Sequence, residues 1–137
     1  MAYFEWNENY SVGIKEMDNQ HKKLFDISSK LHDGMSSGSS DDVLGKVLLE
    51  LTDYTKFHFT EEEELMRKYN YPEFANHKEE HKELIETLQD LQQQFDESKS
   101  ELTIIMKTQD FLRDLLVNHT LDHDKKYGPY LNNKGIV

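Results

Sequence analysis

The 137-residue chain has no cysteine, which excludes disulfides, thiolate metal ligation and cysteine nucleophiles. Two prolines and six glycines leave few breaks, and no alternating Val/Ile/Thr run reads as a strand. Basic residues are also scarce: Lys+Arg 16 against Asp+Glu 27 gives a formal net charge of −11. Phosphate backbones and anionic membrane surfaces repel such a chain, so neither nucleic acid nor a membrane is expected as a partner. No apolar run nears the roughly 18 residues of a bilayer span. The start, MAYFEWNENYSVGI, lacks the basic-then-apolar order of a signal peptide. Cytoplasm is the default expectation for localisation, and the acidic surface favours a monomer. At this length, one domain covering residues 1–137, with a proper core, is expected.

What the chain does have is helical periodicity. Residues 58–81, HFTEEEELMRKYNYPEFANHKEEH, hold His58 and Glu62 four apart, a Tyr-Pro turn, then His77 and His81 four apart. Each pair shares a helix face, and a short turn makes the two helices antiparallel neighbours. Residues 1–16, with Trp6, Tyr10, Val12, Gly13 and Ile14, read as an ordered arm over the bundle. Asp18 reads as the N-cap of a first helix to about Met35, with a seam of Met17, His21, Leu24, Ser28, Leu31 and Met35. GMSSGSSDD breaks it. Helix two, about 41–68, carries Leu44, Val47, Leu48, Leu51, Tyr54 and Thr55 on the face that continues through His58, Glu62 and Leu65. Helix three, about 74–96, runs Phe74, His77, His81, Leu84, Leu88, Leu91, Phe95. After DESKSE, helix four, about 101–121, presents Leu102, Ile105, Leu112, Leu116 and His119, and the tail DHDKKYGPYLNNKGIV ends it. The fold class is all-α: an up-down-up-down four-helix bundle with an ordered N-terminal arm.

In that topology the start of helix one, the end of two, the start of three and the end of four meet at one end. His21, His58, His77, His81 and His119 then fall in one layer with Glu62. A single histidine on an apolar face is usually a hydrogen-bonded core residue. Five, clustered with a carboxylate, would need many partners at once, and metal satisfies them together. His32 and His123 keep the ordinary reading, one off the seam and one in the polar tail. The run Glu61–Glu64 reads as a solvated face apart from Glu62, and Tyr54 and Tyr127 as packing. Five imidazoles exceed one four-coordinate zinc. Mixed imidazole and carboxylate suit iron or manganese, with about six ligands per ion. Two ions offer about twelve positions; five histidines, two bridging carboxylates and a bridging oxygen atom leave one open. Leu, Phe and Met around it suit dioxygen. The second carboxylate comes from helix four, where a continuing helix favours Asp122 (i+3 from His119), and Asp124 (i+5) fits only if the helix has ended or unwound.

DNQHKKLF around His21, HFTEEE from His58, HKEEH from His77 and LLVNHTLDHDKKY around His119, with Trp6 and VGI, resemble the bacterial hemerythrins over nearly the whole chain. The resemblance implies reversible dioxygen binding, for storage, delivery or supply, at two non-haem iron ions bridged by an oxo or hydroxo group, Glu62 and Asp124. It implies His77, His81 and His119 on one iron and His21 and His58 on the other. The family's H-x4-D pattern selects Asp124 over Asp122, so helix four is expected to lose regularity just after His119. Leu116 matches the leucine lining the family's O₂ pocket. Two positions depart: Leu115 stands where tryptophan is usual and Thr120 where isoleucine is. Thr120 is expected to line the pocket and admit water. Dioxygen-activating di-iron enzymes use carboxylate-rich sets, so a set dominated by histidine argues for a binding protein rather than an enzyme. An O₂ or redox sensor domain is the second reading, and a di-iron oxidase or peroxidase the third.

Overall fold

The computed structural model describes residues 5–36, 40–97 and 101–137. Residues 37–39 of the expected break GMSSGSSDD, residues 98–100 of DESKSE, and the Met35 side chain lie outside the described residues. Helix α1 spans Lys15–Ser36, α2 Ser40–Lys68, α3 Phe74–Asp96 and α4 Glu101–Arg113. The fourth rod does not stop at 121. It continues through a π-helical stretch, Asp114–Asp124, into α5, Lys125–Asn132, with Pro129 inside it. An interior proline costs a helix about 3 kcal/mol. Burial of Tyr127, Gly128 and Leu131 in the same helix offsets that cost.

Consecutive helices pack as neighbours, and the fourth rod closes the bundle on α1. Most of the expected seams are buried: Leu24, Leu31, Leu44, Leu48, Leu51, Leu88, Leu91, Ile105 and Leu112 form one core. Tyr54, Leu65, Phe74 and Phe95 are half-buried, and Leu102, at the start of α4, is 67% exposed. The α2–α3 turn closes on Asn70 at φ 57, with Tyr71 N–H donating to Met66 O. Asparagine tolerates this left-handed geometry better than most residues. The Tyr130 hydroxyl pins the turn by donating to Tyr69 O at 2.7 Å.

The N-terminal arm is ordered across the bundle, but Asp18 does not cap α1. The helix starts three residues earlier, and Asp18 accepts from Ser11 Oγ at 2.6 Å and from Val12 N–H at 2.8 Å. Its carboxylate therefore fastens the arm. Val12 and Ile14 then join Met17, Met66, Tyr71, Tyr127 and Leu131 in a second apolar cluster at the end that carries the histidines. No helix among the described residues is long and apolar enough to cross a membrane.

Candidate metal centre

Five imidazoles and two carboxylates from all four rods converge in the core. His21 comes from α1, His58 and Glu62 from α2, His77 and His81 from α3, and His119 and Asp124 from the π-helical stretch. All seven are buried to 2% exposure or less. The π-helix is what admits Asp124. On an α-helix a residue five positions on lies roughly 140° round the axis, so His119 and Asp124 would face different neighbours. Hydrogen bonds to the fifth residue widen the turn, so that i+5 comes to share a face as i+4 does in an α-helix. Thr120 shows the same period, its hydroxyl donating to Leu115 O at 3.4 Å. Asp124 is therefore buried, while Asp122 is exposed. The irregularity begins at Asp114, before His119, and the chain stays helical beyond it.

The carboxylates divide the imidazoles between them. Glu62 Oε2 lies 3.2 Å from His21 Nε2 and 3.3 Å from His58 Nε2, while Glu62 Oε1 lies 3.2 Å from His81 Nε2. Asp124 Oδ2 stands 3.1 Å from His21 Nε2. Its Oδ1 stands 2.8 Å from His77 Nε2 and 3.1 Å from His119 Nε2. Two donor groups result: Glu62, His77, His81, His119 and Asp124; and His21, His58, Glu62 and Asp124. Both carboxylates belong to both groups, one oxygen turned to each.

Hydrogen bonding alone does not account for this cluster. His77 Nε2, Glu62 Oε1 and Asp124 Oδ1 are buried without a hydrogen bond, although His77 and Asp124 are 2.8 Å apart, because the angles fail. His81 Nε2 and His119 Nε2 point at each other over 3.1 Å. Lone pairs aimed at a common point are what an ion requires. Neighbouring ligands about 2.1 Å from an octahedral ion stand about 3 Å apart, the spacing seen here. The donor set fits metal.

The family model of the hemerythrin HHE cation binding domain matches residues 12–131. The chain belongs to the hemerythrin family. It is 40% identical over 133 residues to the bacteriohemerythrin of Methylococcus capsulatus, covering 96% of this chain and 99% of that protein. A hemerythrin-like protein of Naegleria gruberi is 33% identical over 90% of each chain. The crystal structure of a wild-type hemerythrin superposes with a TM-score of 0.80 at 37% identity, over 93% of this chain and 97% of that one.

Around this hemerythrin-type cluster, several residues fix the imidazoles that the sequence did not single out. His58 Nδ1 meets Gln20 Oε1 at 2.7 Å, and Gln20 Nε2 donates to Glu16 at 3.1 Å. Glu16 only accepts, so Gln20 must turn its oxygen to His58, which puts the proton on Nδ1 and the lone pair on Nε2. His81 Nδ1 meets Glu63 Oε2 at 2.8 Å, and its ring stacks on Phe59 at 3.7 Å. Glu63 is thus no part of a solvated face, whereas Glu64 is exposed and pairs with Arg67. His123, read as an ordinary tail histidine, stacks on the His119 ring at 5.3 Å. Tyr127 donates to Glu62 Oε2 at 2.5 Å, so it is more than packing, while Tyr54 packs beside Phe57. Only Glu63 had a legible clue, its place in the acidic run. The others depend on how the helices rotate against one another.

Charge in the cluster is set by the carboxylates. Burial opposes charge on His21 and His119, but Asp124 and Glu62 outweigh it and hold both at about 10. Burial likewise opposes ionisation of Glu62 and Asp124, yet the surrounding histidines keep both well below the ordinary carboxylate range. In the metal-free chain, therefore, protons take the place of metal charge. An unfolded histidine titrates near about 6.5, so stabilisation from these two is complete below that pH and is lost as pH rises towards 10. Metal ligation needs His21 Nε2 and His119 Nε2 free of their protons. Adding cobalt(II) to metal-free protein in weak buffer at pH 7 is expected to release about two protons per chain, fewer as the starting pH approaches 10. No measurable release would show that the imidazoles are already neutral.

Proposed function

We propose that this chain, acting as a single domain over residues 1–137, binds dioxygen reversibly for storage or delivery at two non-haem iron ions. The observation that carries this is the unequal pair of donor groups sharing both carboxylates. His77, His81 and His119 would hold one ion, His21 and His58 the other, with Glu62 and Asp124 spanning both. The His21–His58 group has one donor fewer, which leaves the place for a diatomic ligand on that side. The iron pair, when bound, supplies the electrons and the open coordination position that dioxygen needs.

The protein's own part is to hold, orient and keep dry. Gln20 and Glu63 lock two ring orientations. The Phe59 ring packs against His81 and His119, and buried Leu115 and Leu116, just before His119 in the chain, would wall the site against water. The Tyr127 hydroxyl donates a hydrogen bond to Glu62, and burial, with Glu62 and Asp124 close by, raises its own pKa well above 10. It is therefore a poor acid at neutral pH. With Tyr127 so poor an acid and five neutral donors to two anionic ones, binding is favoured over oxidase or peroxidase chemistry.

The test is iron content with the visible spectrum of anaerobically reduced protein, recorded before air, after air and after deoxygenation. Two irons per chain and a visible band that comes and goes with air are expected. Iron that oxidises at once and cannot be restored would shift the function to sensing or catalysis.

Thr120 bears on how long the oxygenated form lasts. It is 2% exposed, and its hydroxyl reaches only a backbone carbonyl. Its one proton is used there, and both lone pairs remain to accept from a water. Thr120→Ile is expected to slow autoxidation about tenfold, equivalent to about 1.4 kcal/mol in the barrier. An unchanged rate would remove Thr120 from the pocket.

A further inference from the structure

One side of the buried cluster opens to the surface through residues that the dioxygen site does not use. Glu80 on α3 and His123 on the π-helical stretch form a third donor group with His119, their ligand atoms all within 4.8 Å of one another. This group meets the buried cluster at a single imidazole. His119 Nε2 points inward at Asp124, and its Nδ1 points outward, 3.9 Å from Glu80 Oε1. That outward nitrogen is buried and has no hydrogen-bond partner. The outward nitrogens of His58 and His81 are taken by Gln20 and Glu63. His21 Nδ1 is also unpartnered, but His21 belongs to no donor group besides the buried one. The Glu80 side chain is 32% exposed and His123 is half-buried, so an ion from solvent can reach both. The ring of His123 lies 5.9 Å from that of His77, a second member of the five-donor group.

We propose that Glu80, His123 and His119 Nδ1 form a loading station, a transient site for a divalent transition metal on its way into the buried centre. Imidazole, imidazole and carboxylate are the donors such ions take from water, and the acidic chain draws cations to its surface. In its neutral form His119 offers one lone pair, on Nδ1 to the station or on Nε2 to the buried group, so an ion is held at the two in succession. This rests on the reading of the buried cluster as a metal centre.

The experiment follows uptake of cobalt(II) by metal-free full-length protein, by stopped-flow absorbance, and its removal by a chelator. The variants are Glu80→Gln and His123→Phe, which keep shape and ring stacking, with Glu79→Gln as a control that removes the same charge from an exposed neighbour. Loading is expected to slow about tenfold in the first two and by less than about twofold in the control. Because a station on the path speeds both directions, removal should slow along with loading. Loading rates like those of the unaltered protein would overturn the proposal. So would faster removal at unchanged loading, which would make Glu80 and His123 mere supports for His119. A wild-type chain that takes up no metal at all would overturn the metal centre and the station together.

Discussion

An Asp124→Ala chain is expected to retain fewer than two metal ions, while Asp122→Ala is expected to match the unaltered protein. The two residues are two positions apart, and in a regular helix Asp122 would be the better placed. In the structure Asp124 is 1% exposed, with one oxygen towards His21 and the other towards His77 and His119. Removing it takes one donor from each group, leaving four and three. Supporting residues around metal ligands typically change affinity by about 10–100-fold, so loss of a direct donor should exceed about 100-fold and abolish the air-dependent band. In the metal-free chain the same change leaves His21 and His119 without their main counter-charge, and breaking a buried pair costs about 3–5 kcal/mol. Metal content by elemental analysis and thermal unfolding of both forms test this. An Asp124→Ala chain with two tightly held ions, or an Asp122→Ala chain without them, would reverse the assignment.

The bundle was legible because its signals repeat. The series from Phe74 to Phe95 predicts α3 to the residue, and the α1 seam from Met17 to Leu31 and most of the α2 seam bury as their spacing requires. The histidine layer was legible for the same reason, since one polar residue type on four apolar faces at one level is not a pattern that packing produces. Geometry built on an ideal helix misled in two places. Asp18 lies near enough to the helix start to look like a cap, and only the path of the arm shows that it holds Ser11 and Val12. The fourth rod looked finished at Leu121 because polar residues and a Gly-Pro follow. A π-helical ladder shifts which residues face inward, so the apolar period changes along the rod. The outer partners were hidden for a different reason. Gln20, Glu80 and His123 belong to no periodic set: Gln20 and Glu80 meet a histidine on another helix, and His123 meets His119 along its own π-helical stretch.

Gly128→Ala should be the most damaging small substitution away from the ligands. A Cβ at Gly128 would lie 1.9 Å from Val12 O and 3.0 Å from Val12 C. Both are backbone atoms, held there by the Val12 N–H bond to Asp18 and by the burial of Val12 and Ile14. Side chains can rotate away from such a contact, whereas this one must lift the arm or push out α5. Ordinary overpacking costs about 1–3 kcal/mol, and a backbone clash belongs at or above the top of that range. For a chain of this size the Tm should fall by about 10 °C. The damage should also reach the metal centre, because Tyr127, next in the chain, donates to Glu62. Gly45→Ala is the contrasting case. Its added Cβ meets only the end of the Phe95 ring, at 3.0 Å, a side chain that can shift. Alanine gains up to about 1 kcal/mol over glycine within a helix, so Gly45→Ala should be near neutral or stabilising. A Gly128→Ala chain as stable as the unaltered protein would mean that the arm is not held against α5, and the account of how this end of the bundle is sealed would fail with it.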